Sequence, residues 1–210
     1  MLSMKNIMKN IVYYRSIILF ASFLTGCAIS HTYGPFYGKI VDTKTGEPMS
    51  GAVVYMEFRT CAPSVAGDIC QDAGAKEVLS DENGEFYLKH TIHTFRFLHF
   101  WDSTPIIFVW KRGYREYPIL WKMHPELPKP SIDPPRYVTN SAGHGEMKYF
   151  SAIPENKYAI ICLPKLESQE MRKRAYQVMN RPLIHDIPTA DTINLRKMIA
   201  DERKFLGYHD

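Results

Sequence analysis

The sequence predicts a mainly β protein, an antiparallel β-sandwich followed by two α-helices, and three observations carry that prediction. Apolar and polar residues alternate over short runs, the period-2 pattern of a strand with one buried face. Gly, Asn, Asp and Pro recur between those runs at the spacing of an all-β domain. After Pro164 the alternation stops, and good helix formers with apolar residues at helical spacing take its place.

The first 26 residues are targeting rather than fold. Lys5, Lys9 and Arg15 give them a positive start, no acidic residue balances it, and residues 16–23 form a short apolar run. A permanent transmembrane helix needs about 20 apolar residues; a short run behind a basic segment reads as an export signal. Leu24-Thr25-Gly26-Cys27 follows and resembles a bacterial lipobox. That resemblance implies a diacylglyceryl group on the Cys27 thiol and cleavage between Gly26 and Cys27. It makes the membrane a partner through the N-terminal lipid, since two or more acyl chains anchor stably. Ala28 rather than Asp at the next position implies delivery to the outer membrane by the sorting rules of enteric bacteria. Processing also corrects the charge: the formal +4 falls to 23 basic against 22 acidic residues. Near-neutrality gives no argument for a nucleic-acid partner.

Along the mature chain, residues 27–36 are expected to be a tether and 37–164 the sandwich. Tyr37 to Asp42 reads as the first strand, with a turn at Thr43–Gly46 and a loop at Glu47–Gly51. Ala52 to Phe58 alternates, placing Ala52, Val54, Met56 and Phe58 on one face. Residues 59–75 are expected to be loop. Glu77–Ser80 is a short strand, Asp81–Gly84 an Asn-Gly turn, and Phe86 and Leu88 share a face of the next strand. Pro105–Trp110 reads as a buried strand that Lys111–Tyr114 turns, with Arg115 to Leu120 returning. Five prolines between 124 and 135 mark an insertion that cannot continue a sheet interior. Tyr158–Leu163 is the last strand. Residues 165–210 form the helical extension, one helix from Leu166 to Met179 and a second from Asp191 as N-cap.

Gly38-Lys-Ile-Val-Asp42, Thr45-Gly46-Glu-Pro48-Met49, Gly51-Ala52-Val-Val54 and Ser80-Asp81-Glu-Asn-Gly84-Glu-Phe86-Tyr-Leu88 fall in order, and Lys111-Arg-Gly113-Tyr114 follows. Together they resemble the carboxypeptidase regulatory-like domain over residues 38–120. The resemblance implies a seven-stranded, prealbumin-like (transthyretin-like) sandwich. Its residues are a folding signature: glycines for turns, aspartates for turn amides, apolar positions for the core. No catalytic residue, metal site or cofactor comes with it. No HxxE pair occurs at any of the eight histidines, and the chain ends in Gly-Tyr-His-Asp where transthyretin-like hydrolases end in Tyr-Arg-Gly-Ser.

Three cysteines remain beside Cys27. Export makes a disulfide durable, and Cys61 with Cys70 would restrain the loop between them. Cys162 sits in an apolar run as a buried thiol, yet pairing with either of the others stays open from sequence. His90, His93 and His99 are the densest histidine group, but positions three apart on a strand face opposite ways. His99, Asp102 and Ser103 are triad residue types without triad geometry. The stretch from Phe95 to Trp121 holds Trp101, Trp110 and Trp121, and Trp101 is the candidate for an exposed ring touching a ligand. The function expected is therefore a non-enzymatic, lipid-anchored interaction or structural module of the cell envelope. The alternative is a carbohydrate-binding module that stacks aromatic rings on an envelope glycan.

Overall fold

Among the described residues, eight strands form two four-stranded sheets that face each other, and two helices follow them in the chain. The computed structural model describes residues 13–15, 27–102, 104–118, 127–128, 131–133, 153, 155–179 and 192–208. The strands are β1 (Cys27–Asp42), β2 (Val53–Ala62), β3 (Ile69–Leu79), β4 (Glu85–Phe97), β5 (Phe100–Trp101), β6 (Ile106–Trp110), β7 (Ser131–Asp133) and β8 (Tyr158–Leu163). The helices are α1 (Gln169–Met179) and α2 (Ile193–Phe205). One sheet has the order β4-β1-β8-β7; in the other, β2 pairs with β3, β5 and β6.

The alternation read from sequence sets the core. Val54, Met56 and Phe58 of β2 meet Ile40 of β1, Phe86, Leu88 and Ile92 of β4, and Ile161 and Leu163 of β8 between the sheets. The other face of β2 is apolar too. Val53 and Tyr55, with Ala75, Phe108 and Trp110, pack under Tyr176, Leu195, Ile199 and Leu206 of the helical extension. The protein is thus three layers: sheet, sheet, helices.

Motif residues act where turn chemistry needs them. Asp42 Oδ1 accepts the amides of Lys44 (2.7 Å) and Thr45 (3.0 Å), and Asp81 Oδ1 accepts those of Asn83 (2.9 Å) and Glu85 (2.8 Å). The buried Ser80 hydroxyl accepts from Ala52 N (2.8 Å) and donates to the Met49 carbonyl (2.6 Å). Gly84 sits at φ +76° with the Ile40 carbonyl oxygen only 2.6 Å from where a Cβ would stand.

Several expectations need correction. Residues 28–35 are no tether: β1 starts at Cys27 and pairs antiparallel with β4. Of two register shifts in this pairing, the one spanning Tyr33 to Phe36 absorbs the Gly34-Pro35 step that hides the alternation in the sequence. The sandwich is not wholly antiparallel, because β8 lies parallel to β1 from Tyr37↔Tyr158 to Asp42↔Leu163. Between β1 and β8 the chain passes through the other sheet, the kind of crossover that parallel neighbours require. Eight strands are described where seven were expected. Residues 59–75 are not loop, since β2 and β3 run through them as a hairpin. The proline-rich insertion contains β7, tolerated because it is an edge strand. Arg115 to Leu120 makes no strand among the described residues, only the bridge Val109↔Tyr117. Asp191 lies outside the described residues. The α2 N-cap is Thr192, whose side chain makes no capping bond. Glu77 of β3 caps instead, its carboxylate oxygens accepting from Asn194 N (2.6 Å) and Leu195 N (2.9 Å).

Candidate functional site

Four residues singled out in the sequence meet at one end of the sandwich. Cys27, the first residue of β1, is opposite Phe97, the last of β4. The chain then turns through Leu98 and His99 into β5, where Phe100 pairs with Cys61 and Trp101 with Thr60 of β2. Cys61 in turn faces Cys70 of β3, and the two form a disulfide across the strand pair. That bridge closes the β2–β3 hairpin, whose tip is residues 63–68. Gly26 lies outside the described residues.

Trp101 is not the exposed ring expected of it. Its indole is half-buried, stacked on His31 (centroids 5.6 Å, planes 24° apart) and edge-on to Tyr33 at 6.1 Å. Its Nε1 is buried and has no hydrogen-bond partner among the described residues. Tyr33 contacts Phe58 at 4.5 Å and His31 at 4.4 Å, and its hydroxyl donates to the Asp102 carbonyl at 2.8 Å. Burial, with Asp102 adding to it, holds that phenol well above its usual range. Arg59 bridges to Asp102 at 3.0 Å and closes the flank. These rings plug the end of the core rather than offer a stacking platform.

The remaining candidates do not converge. His90 lies against Phe58 at 5.6 Å while His93 is exposed on the other face of β4. Ser103 and Trp121 lie outside the described residues, and Trp110 is buried with its Nε1 donating to the Tyr114 carbonyl at 3.2 Å. Cys162 is a free thiol on the solvent side of β8 and half-buried, because Ala159, Ile161 and Leu163 take the core side. Among the described residues, the single grouping with metal-ligand spacing is Cys61, Cys70 and Asp102, and the disulfide already engages both sulfurs.

Two perturbed carboxyls carried no sequence signal. Burial, then the neighbouring Asp72, pushes Glu57 up to about 7. Burial likewise pushes Glu116 up to about 7 against the pull of Arg115, whose Nε is 3.2 Å from Glu116 Oε1. Arg115 and Glu116 are 1% and 2% exposed, so this pair cannot touch a substrate as it stands. Adjacent charged residues after a turn look like surface in a sequence; only tertiary packing, with Arg115 N donating to the Pro164 carbonyl at 2.9 Å, inverts that.

Fold and site together define a two-sheet, sandwich-like protein with a helical layer on one face and a disulfide-closed hairpin at one end. No protein-family model, curated protein or solved structure matches the chain.

Proposed function

We propose that this protein is a lipid-anchored, non-enzymatic module of the bacterial cell envelope, held to the outer membrane through Cys27 and acting by contact with another envelope component. The finer architecture belongs to the same reading, a prealbumin-like sandwich of the carboxypeptidase regulatory-like type. One observation carries it: regular structure is already under way at Cys27, the residue that would become the new N-terminus. The basic and apolar leader precedes Cys27 in the sequence, and β1 includes Cys27 itself. The Cys61–Cys70 disulfide supports an oxidising compartment. Among the described residues no helix is long and apolar enough to cross a membrane; the anchorage in this reading is the lipid on Cys27. The test is acyl mass on the N-terminal peptide and membrane fractionation of wild type against Cys27→Ser. Loss of both in the variant is expected; a variant that fractionates unchanged with no acyl mass in the wild type would sink the reading.

Glycan binding is the second reading, and a different set of rings favours it. Tyr87, Tyr37 and Tyr158 line up across β4, β1 and β8 on the solvent side of the sheet. Tyr87 and Tyr158 are 61% and 45% exposed, but the Tyr37 and Tyr158 rings cross at 65°, which is a poor flat platform. Glycan-array binding by the wild type, lost in Tyr87→Ala, supports this reading. An empty array discards it.

A further inference from the structure

We infer that the disulfide end of the sandwich is a membrane-docking surface, its exposed apolar side chains seated in the interface of the bilayer that holds Cys27. This rests on the anchoring proposed above, and it adds a defined orientation to it. The first support is the missing spacer. A flexible tether would let the domain float free of the lipid, but here the chain is in β1 from residue 27, in register with the end of β4. An acylated Cys27 therefore brings the Phe97–Phe100 turn to the membrane with it.

The second support is where the exposed apolar side chains lie. Val65 and Ile69 at the β2–β3 hairpin tip are 110% and 58% exposed, and Phe95, Leu98 and Phe100 around the β4–β5 turn are 69%, 57% and 46% exposed. All five belong to the Cys27 end. The turns of the opposite end, 43–46, 81–84 and 111–114, hold no large exposed apolar residue themselves, and beside them only Leu79 and Phe205 are exposed, at 46% and 48%, with Phe205 covered in part by the Arg112 guanidinium. Leu98 holds a positive φ of 57°, a conformation costly for a leucine, and still points to solvent. The disulfide fixes the hairpin that presents Val65 and Ile69.

Charge decides the mode of docking. Arg96, the guanidinium of β4, is committed to Thr60, Gln71 and the Asp72 carbonyl, and Asp68 and Asp72 of the β2–β3 hairpin are exposed. The end is not a basic patch, so docking is driven by apolar insertion, with phenyl rings at the headgroup boundary. It should change little with ionic strength.

The test uses the full chain purified from membranes, in a Cys162→Ser background, with Val65→Cys, Leu98→Cys or Lys44→Cys carrying an environment-sensitive nitrobenzoxadiazole label. The vesicles are phosphatidylethanolamine and phosphatidylglycerol with a nitroxide high on the acyl chain. Labels at 65 and 98 are expected to shift to the blue and be quenched, and the label at 44 to do neither. Labels at 65 and 98 that match the one at 44 on an anchored chain overturn the proposal. If the chain bears no acyl mass, the anchor reading fails separately, and flotation of the labelled chain with Cys27→Ser added, so that the probe is the one reactive thiol, decides the surface. Co-flotation with quenching at 98 sustains it, weakened roughly tenfold or more by Leu98→Ser with Phe100→Ser; no flotation overturns it.

Discussion

A methyl group at position 38 would stand 2.0 Å from the Ala159 carbonyl oxygen, and nothing flexible could move aside, because the neighbours are β8 backbone. Gly38 is there for the close approach of two parallel strands, not for an unusual φ. Gly38→Ala is expected to cost about 3 kcal/mol or more by overpacking. Gly46→Ala, at φ +71° with nothing within 4 Å, should cost nearer ~1 kcal/mol. Urea denaturation of the two variants checks the ranking. The carboxyls give a second expectation at this scale. Glu57 and Glu116 are pushed up to about 7 from 4.5 by burial, so the folded state holds their protons more tightly than the unfolded chain. Their contribution is fully present below about pH 4.5 and is lost as pH rises through about 7. Asp42 opposes this only in strong acid. Burial would raise it, but the amides of Thr45 and Lys44 win and hold it low. Denaturation midpoints should therefore rise as pH falls from 8 to 5, and Glu57→Gln should flatten part of that slope.

At the scale of elements, α2 depends on a carboxylate from a different layer. Glu77 accepts two amides at its N-terminus, where the helix dipole also favours negative charge. Glu77→Ala is expected to remove about 1 kcal/mol and to speed amide exchange at Asn194 and Leu195 first; unchanged exchange there would remove Glu77 as the cap. Such a cap is invisible in a sequence, since residues 77 and 194 are joined only by the packing of α2 on β3. What could be read was local. β6 and β8 were legible because Ile106–Trp110 and Tyr158–Leu163 are short apolar runs ended by turn residues. The Asp42, Ser80 and Asp81 turns were legible because their bonds span few residues or follow a motif. β1 before Tyr37 was hidden by Gly34-Pro35, and β7 by its flanking prolines. The disulfide was one of several open pairings, chosen in the structure by the β2–β3 register. Trp101 was misplaced as exposed because a sequence cannot show that His31 and Tyr33 lie over it.

On the scale of the whole molecule, the helical layer keeps the second apolar face of β2 and β6 out of water, and one carboxylate ties that layer down. Glu202 of α2 is 2% exposed. It accepts from Arg172 of α1 at 2.7 Å and from Arg112, in the turn after β6, at 3.3 Å. Phe205 completes the cluster, with the Arg172 guanidinium 3.9 Å and that of Arg112 5.4 Å from its ring centre. Two helices and a sheet turn thus share one anion. Replacing it leaves the half-exposed Arg112 able to reach water, but strands the more buried Arg172. Breaking such a pair costs about 3 kcal/mol, enough to loosen the layer before the sandwich itself unfolds. Glu202→Ala should therefore shift tryptophan emission to the red as water reaches Trp110, and raise binding of an apolar dye to the face formed by Val53, Tyr55 and Phe108. The inter-sheet core, built from β1, β4 and β8 against the other face of β2, should keep its far-ultraviolet β signal at the same temperature. Loss of both signals in one transition would mean that helices and sandwich form one cooperative unit, with Glu202 supporting all three layers at once.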